Sequence, residues 1–305
     1  MKGLKNFDPT APPVVSAHWW RPSAWLRVAG SDAFSFLQGQ FTNDLRTLTE
    51  RQAVYGLWLD QKGRVQADSF VAKAGQEAFW VGSYFSAAAA LRARLEAYII
   101  ADDVTVTDET GEWMGLTLMG AEIAAAEFGA SLRFEGRRGA PAAMELMFAA
   151  GTLPAVQALL DRRPWPRLTA GDMERRRICA GIPAVPGDIG PGDLPGEGGL
   201  DAPAISYTKG CYLGQEVMAR LKSMGRLRRR LLRVTGAGVP PALPAVLFQG
   251  AKKVGELRSV AATEDGFAGL AMFTLLGLDP RAALSLVPAG PPAMRLTAPD
   301  DAAGN

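Results

Sequence analysis

The stretch TKGCYLGQEVMARLK, Thr208 to Lys222, sets one of the chain's two cysteines in a frame of two glycines, a lysine and a Gln-Glu pair. Ile205-Ser206-Tyr207 ahead of it reads as β. Gly210 and Gly214 bracket a bend, and Gln215 to Lys222 reads as a helix with Val217 and Leu221 on one face. Cys211 is therefore expected just before a helix N-terminus, where the dipole and free N–H groups favour a thiolate, with Lys209 adding positive charge beside it. Glu216 and Arg220 stand four apart and can pair. The competing reading is a small buried residue in a tight turn, since free cysteines are among the most buried residue types. Spacing alone leaves both open for Cys211; Cys179, inside RRRICAGIP, is expected to be structural.

The bulk of the chain bounds the function. At 305 residues it suggests about two domains, and with 48% apolar residues each part can bury a core. A net charge of +2 gives no global argument for nucleic acid. No apolar run approaches the ~20 residues of a membrane span, and MKGLKNFDPTAPPVV lacks the apolar core of a signal peptide. Two cysteines without CxxC spacing make neither a disulfide framework nor a metal motif. A soluble, cytoplasmic protein is the expectation. The one histidine, His18, would have to serve a metal site or a Ser-His triad alone, so a structural role is expected for it.

Upstream, strand pairs alternate with helices. After a Trp-rich first strand, Ser31-Asp32 opens a helix carrying Phe34, Leu37 and Phe41, and Thr42-Asn43-Asp44 offers a second cap. Val54–Leu59 and Val65–Val71 flank the turn Asp60-Gln61-Lys62-Gly63. Phe79–Val81, a helix over Ser86–Ile100 and a strand over Val104–Thr107 follow. Then come a strand at Trp113–Met119, a helix at Ala121–Phe128, a strand at Met144–Phe148, and helices at Thr152–Leu160 and Ala170–Ala180. This pattern predicts an α+β protein with antiparallel sheets covered on one face.

From Gly181 to Asp201, seven glycines and four prolines rule out helix or central strand. A long loop ending directly before the cysteine motif is expected to shape that site. Beyond Leu231, short strands at Leu231–Val234, Ala245–Gln249, Val254–Ser259, Phe267–Phe273 and Ala283–Val287 predict a small β-barrel. The Pro-, Ala- and Asp-rich tail from Pro288 is expected to be disordered.

KGCYLGQE, Lys209 to Glu216, resembles the signature KGCYxGQE of the YgfZ-type folate-binding proteins. FLQGQFTNDL (Phe36–Leu45), LDQKGRV (Leu59–Val65) and RRICAGIP (Arg176–Pro183) resemble further blocks of that family in the same order, so the likeness runs from about residue 25 to about 275. It implies the fold of the glycine-cleavage T-protein, with two interleaved α+β lobes and a C-terminal β-barrel around a folate channel. The expected division is 1–230 for the lobes, one of them centred on about 46–110, then 231–290 for the barrel and 291–305 for the tail.

The resemblance also implies binding of tetrahydrofolate or a derivative, and a part in assembling or maintaining iron–sulfur proteins, chiefly [4Fe-4S] enzymes including those that thiolate tRNA. It makes Cys211 the functional thiol. Lys209, Tyr212, Gln215, Glu216 and Arg220 match the motif position by position and are the candidate folate contacts, with Gly210 and Gly214 serving the bend. Two departures stand out. The T-protein's folate-binding glutamate falls on Cys179 here, and its Asp-Asp pair falls on Ala67-Asp68, leaving Asp68 as the one acid. Both argue against aminomethyl transfer while leaving folate binding open.

Between Lys209 and Arg233 there are eight Lys or Arg and one acid, Glu216. Such a run is a solvated face, or a polyanion-attracting one. No aromatic stacking platform lies between Tyr212 and Phe248, so direct tRNA binding is not expected. Three readings remain: a folate-binding iron–sulfur factor using Cys211, a folate-dependent aminomethyl- or methyltransferase, and a non-catalytic RNA- or protein-binding module. A permanent cluster is not expected, because two cysteines cannot supply the usual four thiolates.

Overall fold

A computed structural model describes residues 15–120, 124–139 and 143–297. In chain order the regular elements are β1 (Ser16–Trp20), β2 (Ala24–Ala29), α1 (Ala33–Gln40), β3 (Ala53–Leu59), β4 (Val65–Gly75), β5 (Ala78–Ser83) and α2 (Ala88–Glu96). Next are β6 (Thr105–Asp108), β7 (Trp113–Met119), β8 (Leu132–Glu135), β9 (Met144–Ala149), α3 (Leu153–Asp161), α4 (Ala170–Cys179), α5 (Asp201–Ala204) and α6 (Gln215–Met224). The chain finishes with β10 (Arg229–Gly236), β11 (Ala245–Gln249), β12 (Lys252–Thr263), β13 (Gly266–Thr274) and β14 (Met294–Leu296).

These strands form three antiparallel sheets, in the orders β1-β7-β9-β8, β3-β4-β5-β2-β6 and β11-β12-β13-β10-β14. The first two interleave. After β1 the chain leaves the first sheet, builds the whole second sheet from β2 to β6, and returns with β7. Each lobe has its own core: Leu26, Phe36, Leu37, Phe41, Trp58 and Leu91 in one, and Leu116, Leu146, Phe148 and Leu160 in the other. Tryptophans lie over cross-strand glycines. Trp25 pairs with Gly82 and Trp20 with Gly115, and a Cβ on either glycine would fall 2.1 Å from an indole carbon. The strand alternation read from the sequence thus reports real faces, with glycine keeping the ring-side position empty.

The third sheet curls. Phe248 bridges to Ser285 and Leu284 to Met294, so the segment expected as a fifth strand at Ala283–Val287 forms only isolated bridges that join the β11 and β14 edges. The tail also differs from expectation. Met294–Leu296 is a strand paired with β10, because Met294 is buried in the barrel core beside Val234 and Leu284. The barrel sheet therefore starts at Arg229 and extends past residue 290; residues 298–305 lie outside the described residues. The helix expected over Ala121–Phe128 is a 3-10 turn at Ala124–Phe128, with 121–123 also outside them.

The glycine-rich loop is a buried strap. Asp188 and Asp193 within it are buried, and Asp188 accepts from Arg177 of α4 at 2.6 Å and from the Ser259 hydroxyl of β12. Arg258 of β12 reaches the Asp188 carbonyl and Asp193 Oδ2, both at 2.6 Å. Arg229 of β10 pairs with Asp193 and Glu197. The strap meets the second lobe too: Val65 N–H donates to Asp193 O, and Ser86 Oγ to Val185 O. Without a ladder of its own, the loop satisfies its backbone through neighbours from the second and third sheets and from α4.

Candidate functional site

The motif turn is built by inward anchors. Lys209 is buried, and its Nζ donates to the carbonyls of Gln38 (2.7 Å), Phe41 (2.6 Å) and Asn43 (3.0 Å), where α1 ends. An ammonium has three N–H bonds, and here each has an acceptor. Burial draws the group from its ordinary 10.5 down to about 8, while the three carbonyls hold it as the charged form at neutral pH. The expectation that Lys209 supplies positive charge beside Cys211 is therefore corrected: its charge is engaged beneath the turn, at the end of the first helix.

Tyr212 is the second anchor. Its ring packs with Leu57, Leu59, Val185, Ala204 and Met218, and burial pushes its phenol up to about 12. Its hydroxyl is buried with no hydrogen-bond partner among the described residues. Leu213 N–H donates to Gly39 O, fixing the turn to α1 a second time.

Gly214 caps α6 at φ +85°, and a Cβ there would lie 2.8 Å from Asp60 O. Only glycine lets the α6 terminus sit this close to the β3–β4 hairpin. That hairpin is itself locked, since Asp60 Oδ1 accepts from the Lys62 and Arg64 amides and Arg64 Nη1 reaches Gly192 O of the strap. Three of the segments singled out by sequence, FLQGQFTNDL, LDQKGRV and KGCYLGQE, thus meet in space.

The remaining motif side chains face outward or sit at the edge. Cys211 is exposed. It lies four residues ahead of α6, separated from the helix by Tyr212, Leu213 and Gly214. Glu216 and Arg220 are exposed and form the expected i,i+4 ion pair. Gln215 is half-buried at the first position of α6. Lys222 lies over the Tyr207 ring at 3.9 Å.

Asp68 is far from an open contact. It is buried, with Oδ1 accepting from the Ser83 (2.7 Å) and Ser86 (2.9 Å) hydroxyls and Oδ2 from Tyr55 (3.1 Å). Burial raises its pKa against those hydrogen bonds. It ties β4 to the end of β5 and sits enclosed by hydroxyls. Cys179 ends α4 half-buried, packed near Ile178, Leu231 and Ala261, and burial raises its thiol.

Sequence reasoning did not find a second polar cluster. Glu145 is fully buried and accepts from Trp20 Nε1 (2.8 Å), Tyr84 Oη (2.9 Å) and Thr117 Oγ1 (2.8 Å), with Arg138 at 3.5 Å. Arg138 is buried over the Trp20 and Tyr84 rings. Beside it, His18 Nδ1 donates to Leu168 O at 2.7 Å, and burial lowers its pKa. Glu145 and Arg138 stand among apolar strand residues or in a turn, so no sequence spacing pairs them. Among the described residues no group of three or more His, Cys, Asp or Glu is placed to hold a metal. No described helix is long and apolar enough to cross a membrane.

Comparison with known proteins agrees with this geometry. The GCVT N-terminal domain model matches residues 23–126. The crystal structure of glycine cleavage system aminomethyltransferase T from Bartonella henselae superposes with a TM-score of 0.75 at 18% identity, covering 92% of this chain and 85% of that one. The fold is thus that of the T-protein-like superfamily. The chain is 30% identical over 295 residues to the human mitochondrial iron-sulfur cluster assembly factor IBA57, covering 87% of this chain and 79% of the relative. It is 25% identical over 262 residues to the tRNA-modifying protein YgfZ of Escherichia coli O157:H7, covering 80% of each. Within that superfamily, the chain belongs to the YgfZ-type family that includes these two relatives.

Proposed function

We propose that this protein is a folate-binding accessory factor for assembling or repairing iron–sulfur proteins, chiefly [4Fe-4S] enzymes including those that thiolate tRNA, with Cys211 as its working thiol. The observation that carries the reading is the exposure of Cys211 on a turn whose neighbours are anchors. A free cysteine tends to be buried, yet here Lys209, Tyr212 and Gly214 are committed to the interior while Cys211 is left at the surface. The relatives' names, one an iron-sulfur cluster assembly factor and one a tRNA-modifying protein, support the iron–sulfur role. Cys211 can engage an exposed iron of a client cluster as a transient thiolate ligand, its proton passing to solvent.

The folate part of the reading is supported by an orphaned polar atom. Tyr212 Oη is buried without a partner among the described residues, and such a group costs free energy unless something pairs with it. Tyr212 and the half-buried Gln215 are the motif residues that would hold a folate, which when bound would carry a one-carbon unit. Cys179 brings no carboxylate and Asp68 is buried among the hydroxyls of Tyr55, Ser83 and Ser86, so the acids of the T-protein pattern are not offered to a substrate amine.

The test uses cells lacking this protein, re-supplied at equal levels with wild type, Cys211→Ala or Cys179→Ala. A [4Fe-4S] enzyme activity and a thiolated tRNA nucleoside are measured. Wild type and Cys179→Ala should restore both and Cys211→Ala neither; full rescue by Cys211→Ala would remove the thiol from the mechanism.

A further inference from the structure

Between the strap and the barrel lies a cleft of about 380 Å³. Pro186 and Pro191 of the strap and Leu243 and Pro244 of the β10–β11 connection give it apolar walls, while Asp193, Glu256 and Arg258 bring its charges. No residue of the cysteine motif lines it, and the function proposed above leaves it unused. The cleft follows from how the strap is held. Arg258 reaches from β12 to Asp188 O and Asp193 and draws the strap down at those points. Pro186 and Pro191, with no N–H to donate, stay exposed beside them.

The charges of the lining do not balance. Two carboxylates stand against one guanidinium, and Asp193 takes it: Arg258 Nη1 donates to Asp193 Oδ2 at 2.6 Å, with Asp193 itself buried. The cations outside the lining are engaged elsewhere. Arg229 is shared between Asp193 and Glu197, and Arg64 bonds Gly192 O. Glu256 is the acid left over. Its side chain is 43% exposed, it accepts no hydrogen bond among the described residues, and Arg258 Nε stands 3.8 Å from it.

A carboxylate with both oxygens open, in a cleft walled by proline and leucine, selects a cation on an apolar stem. A divalent metal does not suit it, since such ions take several oxygen ligands together and no described group of three or more His, Cys, Asp or Glu is placed to hold one. A guanidinium suits it better than an ammonium. Its fork meets a carboxylate through two parallel bonds, it is more weakly hydrated, and its stem can lie along apolar walls. The surroundings point to a protein rather than a free amino acid. Val239, 89% exposed, and Leu243 lie on the same β10–β11 connection and add apolar surface of the kind that surrounds an interface anchor, where arginine is enriched.

We infer that this cleft is a docking site for an arginine side chain carried on an exposed segment of a partner protein, with Glu256 holding the guanidinium and Pro186, Pro191, Leu243 and Pro244 packing its stem. The site depends on neither folate nor Cys211. It gives the barrel and the strap a joint role in holding a partner.

The test is an NMR titration of the isotope-labelled full chain with the arginine peptide acetyl-ALRLA-amide and with its uncharged citrulline counterpart. Glu256→Gln removes the charge and keeps the shape. Gly187→Trp fills the cleft from an exposed position, where a Cβ meets only Ala184 Cβ at 3.7 Å. The arginine peptide should shift the amides of Gly187, Gly190, Ala245 and Glu256. Citrulline in the peptide, or either substitution in the protein, should weaken binding about fivefold or more, as loss of a charge-assisted pair or of the cleft itself requires. No shift at those amides up to about 10 mM peptide, or equal binding of the citrulline peptide or by Glu256→Gln, would overturn the inference. Self-association of the chain in analytical ultracentrifugation that Glu256→Gln abolishes would make the occupant a second copy and overturn the assignment to a partner.

Discussion

Lys209→Met removes an ammonium while nearly preserving side-chain volume, and its effect follows from three bonds. The Nζ atom donates at 2.6, 2.7 and 3.0 Å to Phe41, Gln38 and Asn43 carbonyls. Hydrogen bonds involving a charged group contribute roughly 1.5–3 kcal/mol each. Against that stands the cost of burying the ammonium, several kcal/mol. The balance leaves a destabilisation of about 3 kcal/mol, because methionine recovers the packing and leaves three carbonyls unpaired. At roughly 2–4 °C per kcal/mol for a chain of this size class, the melting temperature should fall by about 6–12 °C. The loss should also be local: the Leu213 amide, bonded to Gly39 O across the same junction, should lose hydrogen-exchange protection before the amides of β12 do. Differential scanning calorimetry with native-state hydrogen exchange reads both. A variant melting within 1 °C of wild type, with Leu213 protection unchanged, would refute the view that Lys209 anchors the motif turn.

Three further outcomes are expected. Gly214→Ala forces a side chain at φ +85° and places Cβ 2.8 Å from Asp60 O, so urea denaturation should show a loss of about 2–4 kcal/mol. Arg177→Ala strands the buried Asp188 carboxylate and should cost about 3–5 kcal/mol by the same assay, with Arg177→Met/Asp188→Leu recovering part of it. The Thr169 amide and hydroxyl hold the Asp172 carboxyl below the usual carboxylate range, which makes its contribution complete above the unfolded-state value of about 3.9 and lost as pH falls through the folded one. Asp172→Asn should cost about 1 kcal/mol at neutral pH and flatten the fall in melting temperature between about pH 5 and pH 2.

Much of the architecture was legible because it repeats. Alternation gave β3, β4, β7 and β13 within a few residues of their observed ends, and the helix read over Ala170–Ala180 is α4. Elements without a pattern were missed. β8 is four residues long, and β14 follows a run of prolines and is held by Met294 fitting the barrel core, a tertiary contact that no local period announces. The site divides in the same way. The i,i+4 pair Glu216–Arg220 and the special role of Gly214 follow from local geometry and were readable. Lys209 was misread as a neighbour of the thiol because adjacency in sequence says nothing of direction: its acceptors are more than 160 residues away. Asp68 was read as a ligand contact, but three hydroxyls from β3, β5 and the segment after β5 surround it only after folding.

The claim that the motif turn presents Cys211 while Cys179 stays half-buried at the end of α4 is tested most directly by timed alkylation of the folded protein, with each cysteine quantified by peptide mass spectrometry. Cys211 is exposed, and Cys179 is half-buried with its thiol pKa raised by burial. Cys211 should therefore react at least tenfold faster at pH 7.5, and unfolding in denaturant should bring the two rates together. Equal rates in the folded protein, or a faster Cys179, would contradict the account.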